Sequence, residues 1–193
     1  MSAGHVYPFV VDLVRRRLPE NGDVLEVGCG GMQYASQLGA GYRGLDLPTS
    51  RYLRDQPHYL ASAESMPIDD ETFDVVFGVA TFYYMPDVRK AFSECRRVLR
   101  PGGTLLVFDY RQEEIARMLR EGDDAVQHVW DDKELRSTLE QAGFARRAIR
   151  DLSHRAGEAG DPDASRRAVR LLKRRLQPAW TQWRIWEARK AGS

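Results

Sequence analysis

Four short apolar runs, VLEV (24–27), YRGLDL (42–47), FDVVFGV (73–79) and TLLVF (104–108), recur along the chain with stretches of helical spacing between them. Strands that alternate with helices call for a mostly parallel sheet, because a crossover must carry the chain back before each new strand. FDVVFGV is apolar almost throughout, as a central strand covered on both faces must be. The spacing predicts a first helix over 6–18, with Val6, Phe9, Val10, Leu13 and Val14 on one face. Asn21-Gly22 reads as a turn, and a helix over 32–38 is closed by Gly39-Ala40-Gly41. Asp87 caps a helix that runs to Arg100 and stops at Pro101-Gly102-Gly103. Asp131 and Glu134 have capping-box spacing, and their helix ends at Gly143. Tyr59 to Ala61 and residues 144–152 are expected as further strands, 155–165 as a polar loop, 166–177 as a basic helix and WTQWRIWEA (180–188) as a last strand.

The 193 residues suffice for one domain with a sizeable core. That domain, 1–193, divides into an N-terminal helix (1–20), a central region (22–144) and a C-terminal strand, basic helix and strand (145–193). A net charge of +1 gives the chain no polyelectrolyte character, and no nucleic-acid module is recognised. No apolar run approaches the ~20 residues that span a bilayer, and the N-terminus lacks a signal-peptide pattern. The expectation is a cytoplasmic protein without a membrane partner. Cys29 and Cys95 form no CxxC pair, so neither a disulfide framework nor a metal site is expected.

The stretch VLEVGCGGMQ (24–33) joins a buried strand to a glycine-rich turn. Such a turn brings backbone N–H groups close to a ligand. The dinucleotide fingerprint would place a third glycine at position 33, where this chain has Gln33, and no P-loop lysine follows. Glu26, two residues before Gly28, would repel a pyrophosphate but suits a cationic ligand group. Asp46 ends the second strand, close to the distance at which an acid meets a ribose.

Together these residues resemble the class I S-adenosylmethionine-dependent methyltransferases of the small-molecule type. VLEVGCGG is similar to the family's first motif, E/D-x-G-x-G, and YRGLDL to its second. ASAESMPIDDETFDVVF and the helix ending in VLRPGG resemble the motifs that follow. The resemblance spans about residues 22 to 144. It implies an α/β fold, a Rossmann-like three-layer sandwich whose seven-stranded, mostly parallel sheet has an antiparallel last strand. WTQWRIWEA would be that strand, with Trp183, Ile185 and Trp186 in the core; a tryptophan cage for a cationic substrate is the alternative. It further implies S-adenosylmethionine as cofactor, held by Glu26, Gly28, Cys29, Gly30, Gly31, Asp46, Leu47, Ser62, Ala63, Glu64 and Ala80. Two departures stand out: Met32 where the family has glycine, and Ser62 where it often has Asp.

Ligands of such sheets lie at the carboxyl ends of the strands. His128, Asp109 and Tyr84 are the catalytic candidates there, and Arg111 is a possible anchor for an anion. His5 and Tyr7 fall in a segment that in this family often covers the cofactor. The basic helix of 166–177 reads as an amphipathic surface helix with a solvated basic face, with attraction of an acidic substrate as the alternative, and an open substrate site could be completed by a homodimer. The expected function is methylation of a small molecule, with oxygen of a sugar, glycan precursor or natural product as acceptor. A protein that binds the cofactor without transferring methyl is the alternative.

Overall fold

A computed structural model describes residues 7–152 and 183–192. His5, the loop of 155–165, the basic helix of 166–177 and the start of the last strand lie outside the described residues. The chain runs α1 (Pro8–Arg15), β1 (Val24–Val27), α2 (Ala35–Leu38), β2 (Tyr42–Asp46), β3 (Tyr59–Leu60), β4 (Phe73–Val79), α3 (Val88–Val98) and β5 (Leu99–Tyr110). It continues with α4 (Gln112–Arg120), α5 (Asp132–Gln141), β6 (Ile149–Asp151) and β7 (Trp183–Arg189). The seven strands form one sheet in the order β3-β2-β1-β4-β5-β7-β6. β7 is antiparallel to both β5 and β6, as expected of the last strand.

The centre of the sheet is dry. Val24, Leu25, Val75, Val76, Phe77, Leu105 and Leu106 are fully buried. Each such side chain contributes roughly 1.5–3 kcal/mol relative to exposure. α1 adds Phe9, Val10, Val11 and Val14 to this core, and α3 adds Val88, Ala91, Phe92, Cys95 and Val98. Two buried charged side chains of β7 are paired. Glu187 pairs with Arg17, and Arg184 pairs with Asp132 and donates to the Trp130 carbonyl. These bonds fix β7 in the slot between β5 and β6.

Local signals hold at the caps. Asp87 accepts from the Lys90 N–H, and Asp131 and Glu134 form the reciprocal capping box. Elsewhere tertiary pairing moves boundaries. The third helix ends at Val98 rather than Arg100, because Leu99 already pairs with Phe73; β5 then passes through Pro101-Gly102-Gly103 and resumes pairing at Thr104, opposite Val75. The predicted helix of 32–38 keeps only Ala35–Leu38, since residues 28–34 are drawn into the glycine turn. Of 144–152 only Ile149–Asp151 is strand, preceded by a 3-10 turn at Arg146–Ala148. α4 has no counterpart among the predicted elements. Its signal is Glu113-Glu114 in the first turn with Ile115 and Met118 on the buried side. Among the described residues no helix is long and apolar enough to cross a membrane.

Candidate functional site

The carboxyl ends of β1, β2, β4 and β5 surround a cavity of about 480 Å³. Its floor is the turn after β1. Gly28 and Gly30 adopt φ of 70° and 51°, which side chains disfavour. The Gly28 and Cys29 N–H groups both donate to the Leu45 carbonyl, which ties the turn to β2. A Cβ at Gly28 would lie 2.0 Å from Thr81 Oγ1, so only glycine fits between the turn and the end of β4. Met32 also has positive φ, 48°. The backbone here takes the conformation that glycine would favour, and Met32 bears it with its side chain packed against the core.

Asp46 stands where β2 reaches this turn. It is 7% exposed and lines the cavity; its Oδ2 accepts the Gly30 N–H at 2.6 Å and its Oδ1 the Leu47 N–H at 2.7 Å. Leu47, Cys29 and Gly31 continue the wall. Ser62, Ala63 and Glu64 form the next section, a turn in which Ser62 Oγ accepts the Glu64 N–H and Glu64 Oε1 accepts the Asp87 N–H. Ala80 closes β4 with φ of 52° and donates its N–H to the Phe108 carbonyl at 2.7 Å. A strained alanine at a strand end beside a cavity is the sort of outlier that ligand sites retain.

Three candidates are not on this wall. Glu26 is 1% exposed and accepts the Tyr42 hydroxyl at 2.5 Å. Burial, with the Asp46 charge adding to it against the Tyr42 bond, pushes its carboxyl up to about 8. Asp109 is fully buried beneath the Thr81 turn, whose N–H it receives at 3.1 Å. The β5 register sets it opposite Arg184 of β7, and Tyr110, the next residue, lines the cavity instead. Burial raises the Asp109 carboxyl to about 7 against the Thr81 and Phe82 N–H groups and Arg184, and its Oδ2 has no hydrogen-bond partner among the described residues. His128 holds the Met85 carbonyl with Nε2 at 2.8 Å and stacks on Trp130 at 5.2 Å and 3°. The imidazole thus braces a loop.

Tyr84 does line the cavity, and its hydroxyl donates to Asp123 at 2.8 Å. Arg51 pairs with the same carboxylate at 2.8 Å and lies 5.0 Å from the Tyr52 ring centre. Sequence reasoning had no role for Arg51, Tyr52 or Asp123. The available signal was position, since 47–58 follows a strand whose carboxyl end carries Asp46. The far end of the cavity is lined by Tyr7, Tyr83, Tyr110 and Trp183. Trp183, Ile185 and Trp186 are all core residues, and Trp183 also borders the cavity.

These residues would suit S-adenosylmethionine: Asp46 is a buried carboxylate that could accept from two ribose hydroxyls, the glycine turn would admit close approach of a methionine part, and the Ser62–Glu64 turn would be a polar edge for adenine.

Residues 25–107 match the family described as "Methyltransferase domain". A Mycobacterium leprae phthiotriol/phenolphthiotriol dimycocerosates methyltransferase is 39% identical over 101 residues, 46% of this chain and 37% of that protein. The sterol 4-C-methyltransferase strm-1 of Caenorhabditis elegans is 30% identical over 107 residues, 48% of this chain and 32% of that protein. The match therefore spans about a third of the length of these relatives. Among solved structures, an S-adenosylmethionine-dependent methyltransferase from Mesorhizobium loti superposes with a TM-score of 0.64 at 19% identity, over 93% of this chain and 96% of that one. The domain match over residues 25–107, the sheet order and the glycine turn facing Asp46 agree with one another and support a class I S-adenosylmethionine-dependent methyltransferase.

Proposed function

We propose that the protein transfers a methyl group from S-adenosylmethionine to a small molecule. The observation that carries this reading is the Gly30–Asp46 junction: a buried carboxylate, anchored by the turn's own N–H, at the edge of a cavity that Ala80 also lines. Asp46 would hold the ribose, residues 28–31 the methionine part, and Ser62, Ala63 and Glu64 the adenine. When bound, the cofactor supplies an activated methyl group; the chain's part is to place the acceptor in line and keep water out.

Among acceptors, a natural product suits the described wall better than a sugar. A sugar needs a polar partner for most of its hydroxyls, and the far end of this cavity is built from aromatic rings. The relatives named for dimycocerosates and for a sterol support the same preference. An alcohol acceptor would need its proton removed. The described wall carries no His or Lys, so oxygen methylation would fall to acceptors that arrive ionised. The same feature favours the second reading, a protein that holds the cofactor without transfer.

Incubation with S-adenosylmethionine labelled in its methyl group, together with fractionated small-molecule extract, separates the two. Label in a small-molecule product, lost with Asp46→Ala, supports transfer. Tight binding of S-adenosylhomocysteine without label in any fraction supports binding alone.

A further inference from the structure

The two ends of the cavity differ in chemistry. The end at the glycine turn presents backbone N–H groups and Asp46. The end beyond Ala80 is aromatic, and its rings come from the start of α1 (Tyr7), the turn after β4 (Tyr83, Tyr84), the end of β5 (Tyr110) and the start of β7 (Trp183). They touch in series. Tyr7 meets Trp183 at 5.0 Å and 66°, Trp183 meets Tyr110 at 4.5 Å and 36°, Tyr110 meets Tyr83 at 6.3 Å and 39°, and Tyr83 meets Tyr84 at 4.4 Å and 50°. All five rings line the cavity.

The charged residues on the described wall are Asp46, Glu64 and Arg51. Asp46 and Glu64 are occupied with N–H groups, and Arg51 is paired with Asp123. Three carboxylates against one guanidinium make this described set net negative. The acidic acceptor suggested by the basic stretch of 166–177 therefore meets no unpaired cation among the described lining residues. The described lining residues include no His or Lys that could serve as a base near neutral pH. Burial raises the phenols of Tyr83, Tyr84 and Tyr110 above their ordinary range, and the Cys29 thiol likewise. Aromatic faces carry negative potential, so such a wall attracts a cation and repels an anion.

We infer that the methyl acceptor is a neutral aromatic nitrogen base, a flat heterocycle whose methylated product is a cation, seated among Tyr83, Tyr84, Tyr110 and Trp183. This rests on the methyl-transfer reading above. The acceptor nitrogen's lone pair forms the new N–C bond as the S–C bond breaks and its electron pair stays on sulfur. The unit positive charge passes from sulfur to nitrogen, and no proton has to leave a ring nitrogen that bore none. A base is thereby unnecessary. A ring face turned to the nitrogen would meet charge that arrives only as the bond forms, which stabilises the transition state more than the neutral ground state.

The test is calorimetry on the full chain, first with S-adenosylhomocysteine alone and then, with that ligand present, with three probes on one bicyclic frame: N-methylquinolinium, quinoline and 1-naphthoate. The expected order is N-methylquinolinium tightest, at least about tenfold tighter than 1-naphthoate. Trp183→Leu and Tyr84→Leu should each weaken N-methylquinolinium about tenfold and quinoline far less, with S-adenosylhomocysteine unaffected. Two variants are used because Trp183 is also core, and the comparison of probes on the unaltered protein needs neither. Naphthoate bound as tightly as the cation, or an equal loss of all three probes in both variants, would overturn the inference and leave the cofactor reading standing. Failure to bind S-adenosylhomocysteine at all would overturn the cofactor reading, and this inference with it.

Discussion

Replacing Gly28 with alanine tests whether the glycine turn is shaped by its contact with the end of β4. The substitution has two separable costs. The backbone at 28 has φ of +70°, a conformation that costs an L-residue about 1–2 kcal/mol. In addition, the new Cβ would fall 2.0 Å from Thr81 Oγ1 and 2.8 Å from Thr81 Cβ. Moving the hydroxyl relieves only the first contact, so the Thr81 turn must shift as well. Forcing atoms into a packed site of this kind costs about 1–3 kcal/mol more. Gly122 provides the control. Its φ is +92° at the end of α4, and a Cβ there meets nothing within 4 Å, so Gly122→Ala incurs the conformational cost alone. Urea denaturation of both variants should place Gly28→Ala about 1–3 kcal/mol below Gly122→Ala. Because Thr81 follows Ala80, Gly28→Ala should also weaken binding of S-adenosylhomocysteine, and Gly122→Ala should not. Equal stability of the two variants would refute the account of the turn.

Other expectations follow from single residues. Glu26 has a folded-state pKa of about 8 against 4.5 for the ordinary side chain. The folded form thus keeps its proton where the unfolded form has lost it, and stability should fall as pH rises from about 5 to 8. The fall is at most on the order of 5 kcal/mol, and Glu26→Gln should flatten it in denaturation curves taken across that range; an unchanged slope would remove Glu26 as the cause. Asp109, raised to about 7 by burial, works in the same direction, so Asp109→Asn should flatten the part of the slope below pH 7. Asp131→Ala removes both capping bonds to Lys133 and Glu134 and should cost ~1 kcal/mol by the same assay; no loss would mean that the cap is replaced by solvent.

The sequence made the sheet legible because β1, β2, β4 and β5 are apolar runs with turn residues at their ends, a signal that survives without tertiary information. The same logic brought the glycine turn and Asp46 to one end of the sheet. Boundaries that depend on a partner strand were not legible. Nothing near Leu99 says that it must pair with Phe73 rather than finish a helix. α4 was missed because its apolar face is narrow, with Ile115 and Met118 its buried residues amid charged neighbours. Which side chains near a strand end face the cavity was equally hidden. Asp109 and Tyr110 are adjacent, and the register against β7 buries the first and turns the second toward the cavity. The partner of His128 is the Met85 carbonyl, 43 residues away, which no local pattern reveals. The aromatic end of the cavity draws on four separated segments, and a reading of single motifs does not bring their rings together.

The central claim is that the Gly30–Asp46 junction holds an adenosine ribose in a pocket built for S-adenosylmethionine. Calorimetric titration of S-adenosylhomocysteine, with NAD titrated in parallel, measures this directly. The account predicts saturable binding of S-adenosylhomocysteine, none of NAD, and a loss of about 10- to 100-fold in affinity with Asp46→Ala, the worth of hydrogen bonds to a charged group. Binding of NAD without S-adenosylhomocysteine, or an Asp46→Ala protein with unchanged affinity, would contradict it.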